Sequence, residues 1–327
     1  MVGEVMAMAR FTAVRLSIVA MVGAALAGTS ALAAEPAPAT NPLWQAHKTK
    51  NYLPEMTWME VEDLLKRSDM VIIPVGAIEE HGIAGPLGTD FLNGTERAKL
   101  IAQKTDVLVA PILLPGNSPY HMGFPGTITL SAETVQRVYF EAVQSLIHHG
   151  FKRFLILNSH GGNLATSRFI VDRINQETAG IAVELNEAAA PFAPRSPRTG
   201  AADASNPFDR HGGVSELSNT LYLTPGLANP TVGRPAKLTL KPHLQAMLPL
   251  VEAGDPTATL VFLAEALKAE STGKGTATRD MTDTGSWSKL DPRTATALIG
   301  EVETNVFVGA AVQFIEAWKR LRPLGVK

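Results

Sequence analysis

The sequence predicts an α/β protein built on a mostly parallel sheet with helices on both faces. Short, continuously apolar runs such as VIIPV (71–75) and FLILN (154–158) read as strands buried on both sides. Amphipathic helical patterns stand between these runs, the alternation that parallel crossovers require. The chain has 327 residues, 45% of them hydrophobic and 18% charged, which suits a folded core.

The first expected helix, TWMEVEDLLKRS (57–68), aligns Met59, Val61, Leu64 and Leu65 on one face. A strand at 70–75 follows, then a helix at 91–104 and a strand at 106–110. A helix at 131–149 begins at a cap region formed by Ser131 and Thr134. A strand at 154–158, a helix at 163–178 and a strand at 180–186 continue the alternation. Residues 189–210 form an insertion rich in Ala, Pro, Ser and Asp, of a kind that serves as lid, oligomer contact or mobile loop. Beyond it come a helix near 214–223, a polar, proline-containing stretch to about 245, and helices at 256–270 and 292–320.

Residues 1–34 read as a cleaved export signal. Arg10 and Arg15 precede the apolar LSIVAMVGAALAGTSALA, and small residues through Ala34 offer a cleavage site. An uncleaved anchor is the alternative, although the run is short for a membrane span. A flexible linker is expected at 35–48 and one catalytic domain over 49–327, in a periplasmic or secreted protein. The net charge of −2 gives no basis for a nucleic-acid or anionic-membrane partner. With no cysteine, disulfides and thiolate metal sites are excluded, so nitrogen and oxygen must hold any metal.

Three polar clusters stand at strand ends, where open parallel sheets bind ligands. The first is GAIEEHGIAGPLGTD (76–90). Glu79 and His81 are two apart and point the same way in an extended segment, and a glycine-rich turn can return Asp90 to them. A solvated acidic loop is the plainer reading of this stretch taken alone. The second cluster, NSHGGN (158–163), offers His160 with Gly161 and Gly162. The third, RHGGVSELS (210–218), offers His211 and Glu216. Jointly Glu79, His81, Asp90, His160 and Glu216 supply ligands for two divalent metals sharing one carboxylate, with zinc or manganese suited to them. Such a pair would hold a hydroxide for hydrolysis of an amide-like bond. His211 would carry a proton to the leaving nitrogen, titrating near its ordinary value of about 6.5. Gly161 and Gly162 would offer backbone N–H groups to oxyanion charge.

These stretches together resemble the creatininase family of metal-dependent amidohydrolases. GAIEEHGIAGPLGTD matches its G-S-x-E-Q-H-G-x-H-L-P-x-x-T-D pattern. GNSPYH (116–121) with FPGT (124–127) matches its second signature, NSHGGN its N-G-H-G-G-N, and HGGVSELS (211–218) its H-A-G-x-x-E-T-S. The resemblance spans roughly 52–310 in order. It implies a three-layer α/β/α sandwich, often hexameric, around a binuclear site. Glu79, Asp90 and His160 match the ligands of one metal. His81 and the bridging Asp90 match those of the other, Glu216 the remaining acidic position, and His211 the proton-transfer histidine. Ser118, Gly161 and Gly162 are the implied substrate contacts. The metals implied are zinc, manganese or both, with iron also compatible. The chain departs from the pattern at Ala84, where the family has a second histidine, and at Glu80, where it has Gln. It departs again at Gly162, where creatinine-opening enzymes carry a metal-binding Glu, so that Glu216 must serve instead. Those enzymes also close tryptophans over the substrate, and none lies between Trp58 and Trp287 here. The expected activity is hydrolysis of a C–N bond in a small amide, cyclic or acyclic, by a homo-oligomer. Action on a lactone, cyclic ketone or short peptide, or a silent metal-binding protein, are the alternatives.

Overall fold

Four strands, β1 (Met70–Val75), β2 (Leu108–Val109), β3 (Arg153–Asn158) and β4 (Ile181–Glu184), pair in parallel in the order β2-β1-β3-β4. The computed structural model describes residues 38–45, 48–113, 115–194, 208–266 and 277–326. The expected export signal lies outside them. From Pro38 onward the chain forms one unit.

The helices joining and following these strands are α1 (Trp58–Leu65), α2 (Thr89–Thr105), α3 (Ala132–His148), α4 (Leu164–Glu177) and α5 (Leu185–Ala189). Then come a strand, β5 (Asp209–His211), and helices α6 (Val214–Leu223), α7 (Pro242–Glu252), α8 (Pro256–Ala266) and α9 (Ala277–Met281). Strand β6 (Trp287–Ser288) and helix α10 (Ala297–Leu321) close the order.

The period of two along a strand splits the core into two layers. Val71, Ile73 and Val75 of β1, with Phe154 and Ile156 of β3, face residues of α1, α3 and α4. Met70 and Ile72, with Leu155 and Leu157, face α2, α5 and α10 on the other side. The three-layer α/β/α arrangement is therefore the observed one. A third apolar cluster, including Leu248, Phe262, Met281 and Trp287, joins α7, α8 and α9 beside the antiparallel pair β5–β6.

Several boundaries move, each for a local reason. The expected strand 106–110 shrinks to Leu108–Val109, because Asp106 takes a left-handed conformation that ends α2. The expected strand 180–186 stops at Glu184, whose carboxylate accepts the Glu187 N–H at 2.8 Å and opens α5. The last helix begins at Ala297 rather than 292, because Thr296 caps it by accepting from the Ile299 N–H. The polar stretch to about 245 already holds the start of α7, with Pro242 in its first turn. The expected insertion is helical at its start and β-strand at its end, its middle (195–207) lying outside the described residues.

Part of the expected linker is tied down. The buried Asn41 donates from Nδ2 to Glu96 at 2.8 Å and to the Leu223 carbonyl at 3.1 Å, joining α2 to α6. Asn41 thereby fastens part of the expected linker to the unit that runs from Pro38.

Strand β2 lies on one side of β1 and β3 on the other. Successive crossovers leave β1 in opposite directions, so a crevice opens beyond the carboxyl ends of β1 and β3. The polar clusters after Val75 and after Asn158 both emerge there.

Candidate metal centre

Strand β1 delivers the first cluster through a tight approach to α2. A Cβ at Gly76 would sit 2.9 Å from Phe91 Cα, so only glycine lets the strand end lie against the helix start. This places Glu79 and His81 over Asp90, in the first turn of α2. His81 Nε2 is 3.4 Å from Asp90 Oδ1 and 3.7 Å from Glu216 Oε2. The other Asp90 oxygen, Oδ2, is 3.1 Å from His160 Nδ1, which also lies 3.2 Å from Glu79 Oε1. All five expected ligand residues therefore converge, and the acidic stretch 79–90 is no solvated loop. Glu79, His81, Asp90 and His160 are buried, while Glu216 is partly exposed at the rim.

Three histidines share one orientation. His81 Nδ1 lies 3.1 Å from the Glu79 carbonyl, His160 Nε2 is 3.0 Å from the Asn117 carbonyl, and His211 Nε2 is 2.7 Å from the Glu80 carbonyl. Each ring thus donates one N–H to main chain and turns its second nitrogen toward the carboxylates. That is the tautomer-fixing arrangement of metal-binding histidines.

The donor set fits divalent cations. Glu79 Oε2, Glu80 Oε1, His81 Nε2 and Asp90 Oδ2 are buried and make no aligned hydrogen bond among the described residues. The 3.1 Å approach of His160 to Asp90 Oδ2 is a charge contact only. Buried acceptors without donors are costly unless a cation satisfies them. Potential ligand atoms gather within 4.8 Å of one another in Glu79–His81–Asp90, in Glu79–His121–His211 and in His81–His211–Glu216.

Electrostatics agree with a site starved of positive charge. Burial disfavours a charged His81, but Asp90, Glu216 and Glu79 outweigh it and raise its pKa to about 10. Burial likewise opposes a charged His211, yet Glu80 lifts it to about 9. The expectation that His211 titrates near 6.5 is therefore corrected, the Glu80 carboxylate 3.3 Å from Nε2 being the cause. His121, stacked on His211 at 4.1 Å, is pushed down by burial and by that neighbouring cation. Glu80 and Asp90 are held well below the usual carboxylate range by the surrounding histidines, against the cost of burial.

A pH consequence follows for chelated protein. His81 and His211 have folded pKa values above their unfolded value of about 6.5. Their protons favour the folded state fully below that value, and the contribution is lost as pH rises through 9 and 10. In excess chelator the thermal midpoint should fall between pH 6.5 and 10. Thermal melts across that range check it, and a rising midpoint would contradict the charge arrangement.

Sequence reasoning missed five residues here. Glu80 stands between two imidazoles, 3.0 Å from His121 Nδ1 and 3.3 Å from His211 Nε2. His121 lay within the quoted GNSPYH motif, and its burial in an apolar-looking segment hid its role. Tyr120 Oη is 3.0 Å from His160 Nε2. Arg210 and Trp287 line the site's cavity of about 140 Å³, with Leu263, Gly161 and Gly162 also on its walls. Trp287 supplies an aromatic wall from β6 rather than from the insertion, and no motif pointed to it.

The expected substrate contacts divide. Gly161 has open space where a side chain would be, but a Cβ on Gly162 would lie 1.8 Å from Tyr120 Oη and 2.5 Å from His160 Nε2. Ser118 is corrected from a substrate contact to a support: it is fully buried, with Oγ 3.2 Å from His160 Nε2. A larger cavity of about 780 Å³, walled by Trp58, Leu65 and Leu146 among others, is apolar and contains none of the cluster.

Fold and site define an α/β protein with a buried carboxylate–imidazole centre at a sheet's topological switch point. The profile of the creatininase (creatinine amidohydrolase) family matches residues 54–315, and the chain belongs to that family. It is 35% identical over 111 residues to 3-dehydro-scyllo-inosose hydrolase of Thermotoga maritima, covering 34% of this chain and 36% of that protein. It is 34% identical over 130 residues to creatinine amidohydrolase of Pseudomonas putida, covering 38% of this chain and 49% of that one. The chain thus spans about a third to a half of the length of these two relatives. The mycofactocin precursor peptide peptidase of Mycolicibacterium smegmatis is 30% identical over 216 residues, 62% of this chain and 80% of that protein. A crystal structure of creatinine amidohydrolase (creatininase) superposes with a TM-score of 0.58 at 21% identity, over 84% of this chain and 99% of that one.

Proposed function

We propose that the protein is a metal-dependent hydrolase of a C–N bond in a small amide, acyclic or cyclic. The observation that carries this is the shared histidine orientation, with buried carboxylate oxygens that lack hydrogen-bond donors. Glu79, Asp90 and His160 would hold one divalent ion, and His81, Asp90 and Glu216 the other. Zinc and manganese are named in creatininase structures of this fold. Bound ions would supply Lewis-acid polarisation of a carbonyl and acidify a water.

The chain's own groups divide the remaining work. Glu80, 3.3 Å from Nε2, favours the protonated form of His211, which would then act as a proton donor to the leaving nitrogen. Gly161 and Gly162 line the cavity wall, where their backbone N–H groups would serve a developing oxyanion. Tyr120, Ser118 and the Asn117 carbonyl fix the His160 ring from behind.

A second reading, cleavage of a short peptide, is favoured by the mycofactocin peptide peptidase relative, whose match covers the larger share of both chains. The test is purified, metal-loaded protein assayed against cyclic amides, formamides and short peptides. Two equivalents of metal per chain with turnover of an amide supports the first reading, and turnover of peptides alone supports the second. One equivalent or none, with no turnover of any, overturns both in favour of a silent binding protein.

Export and homo-oligomer assembly belong to the same proposal. Export rests on residues 1–34, with protein from the cell envelope expected to begin near Ala34 or Glu35. N-terminal sequencing checks this, and soluble cytoplasmic protein beginning at Met1, Met6 or Met8 would refute it.

A further inference from the structure

Arg210 and Trp287 face the candidate metal centre without a task in the proposed chemistry. Both line the cavity that holds Glu79, Asp90, His160 and Glu216. Arg210 is exposed at the mouth, and among the described residues its guanidinium makes no ion pair, resting only 6.0 Å from the centre of the Phe208 ring. Its position is built into the strand pair. Asp209 pairs with Ser288 and His211 with Trp287, so Arg210 is the extra residue of a β-bulge. Bulges beside sites re-aim one side chain, here letting Arg210 reach the cavity that its neighbour His211 also lines.

Trp287 supplies an independent observation. Its side chain is 4% exposed, and its Nε1–H is buried without an acceptor among the described residues. An indole N–H can only donate. A buried donor lacking a partner, on a residue that lines the cavity, would be satisfied by an acceptor that a ligand brings within reach of the ring. Guanidinium and indole N–H together ask for one chemistry, an anionic oxygen.

Charge balance points the same way. Two divalent ions would carry as much positive charge as Glu79, Glu80, Asp90 and Glu216 carry negative, leaving the His211 and Arg210 cations that line the cavity without a matching anion. A carboxylate matches a guanidinium in shape as well as charge.

We propose that Arg210 and Trp287 form an anion subsite that selects amides carrying a carboxylate beside the scissile C–N bond. This rests on the amide-hydrolase reading above and narrows it to acidic substrates such as carboxylated lactams or N-acyl amino acids. Arg210 sets the charge preference, and Trp287 fixes one carboxylate oxygen against the aromatic wall.

The test compares two five-membered lactams, 5-oxoproline and its uncharged counterpart 2-pyrrolidinone, by calorimetric titration into metal-loaded protein. The wild type should bind the carboxylated lactam about tenfold more tightly or better, the ratio a charge-assisted hydrogen bond carries. Arg210→Gln should abolish most of that preference at unchanged metal content. Arg210→Lys should retain part of it, and Trp287→Phe, which keeps the ring, should weaken it. No preference in the wild type, or a preference retained by Arg210→Gln, overturns the subsite, the second outcome meaning that the metals bind the carboxylate. A preference that vanishes with Arg210 while no amide is ever hydrolysed keeps the subsite and removes the hydrolase reading.

Discussion

Asp90→Ala should empty both metal positions and abolish turnover. Its two oxygens face different histidines, Oδ1 toward His81 Nε2 at 3.4 Å and Oδ2 toward His160 Nδ1 at 3.1 Å. Among the described residues no other carboxylate lies within 4.0 Å of both rings, so one substitution would remove a ligand shared by the two proposed ions. Asp90 occupies the first turn of α2, where a carboxylate is favoured by the helix dipole, but alanine is a good helix former and the helix should persist. Elemental analysis with circular dichroism decides it. A folded variant holding two metals and full activity would sink the bridging assignment, and Asp90→Asn tests whether the charge or the shape matters.

His211→Ala should keep the fold but lose about 10²–10⁴-fold in turnover, the range for removal of a positioned acid. The difficulty is that His211 lies at ligand distance in two of the three potential metal groups. Its Nε2–H is committed to the Glu80 carbonyl at 2.7 Å, and Nδ1 is 3.6 Å from Glu79 Oε1. Metal content separates the roles: a variant that retains two ions makes His211 a proton donor, and one that loses an ion makes it a ligand. The pH profile gives a second readout. The Glu80 carboxylate favours the protonated ring, so activity of the wild type should decline as pH rises through the His211 titration. Glu80→Gln should move the decline to lower pH, because the carboxylate that lifts His211 is gone.

Much of the fold was legible because burial on both faces leaves a continuous apolar signature in β1 and β3. The convergence of the candidate ligands was legible because carboxylates and imidazoles at strand ends have few structural uses. Glu80 and His121 were harder to place. Their function comes from facing each other across the β1 end and the 118–127 loop, and sequence spacing carries no such distance. Arg210 and Trp287 are far apart in the chain and meet only through a bulged two-strand pairing, which no local pattern encodes. The ends of β2, β4 and α10 shifted because single residues, Asp106, Glu184 and Thr296, decide where a helix stops or starts.

The crowding around Gly162 has a consequence for how this chain could change over time. Tyr120 Oη and His160 Nε2 fill the space that any side chain at 162 would take. A glutamate there would first require Tyr120 to be replaced by something smaller and the His160 ring to find a new support. Neither step is helpful alone, since each loosens a histidine that the centre uses. The glycine and the tyrosine therefore lock one another in place. A side chain at position 162 is expected to need a matching change at position 120 before the His160 ring can keep its place.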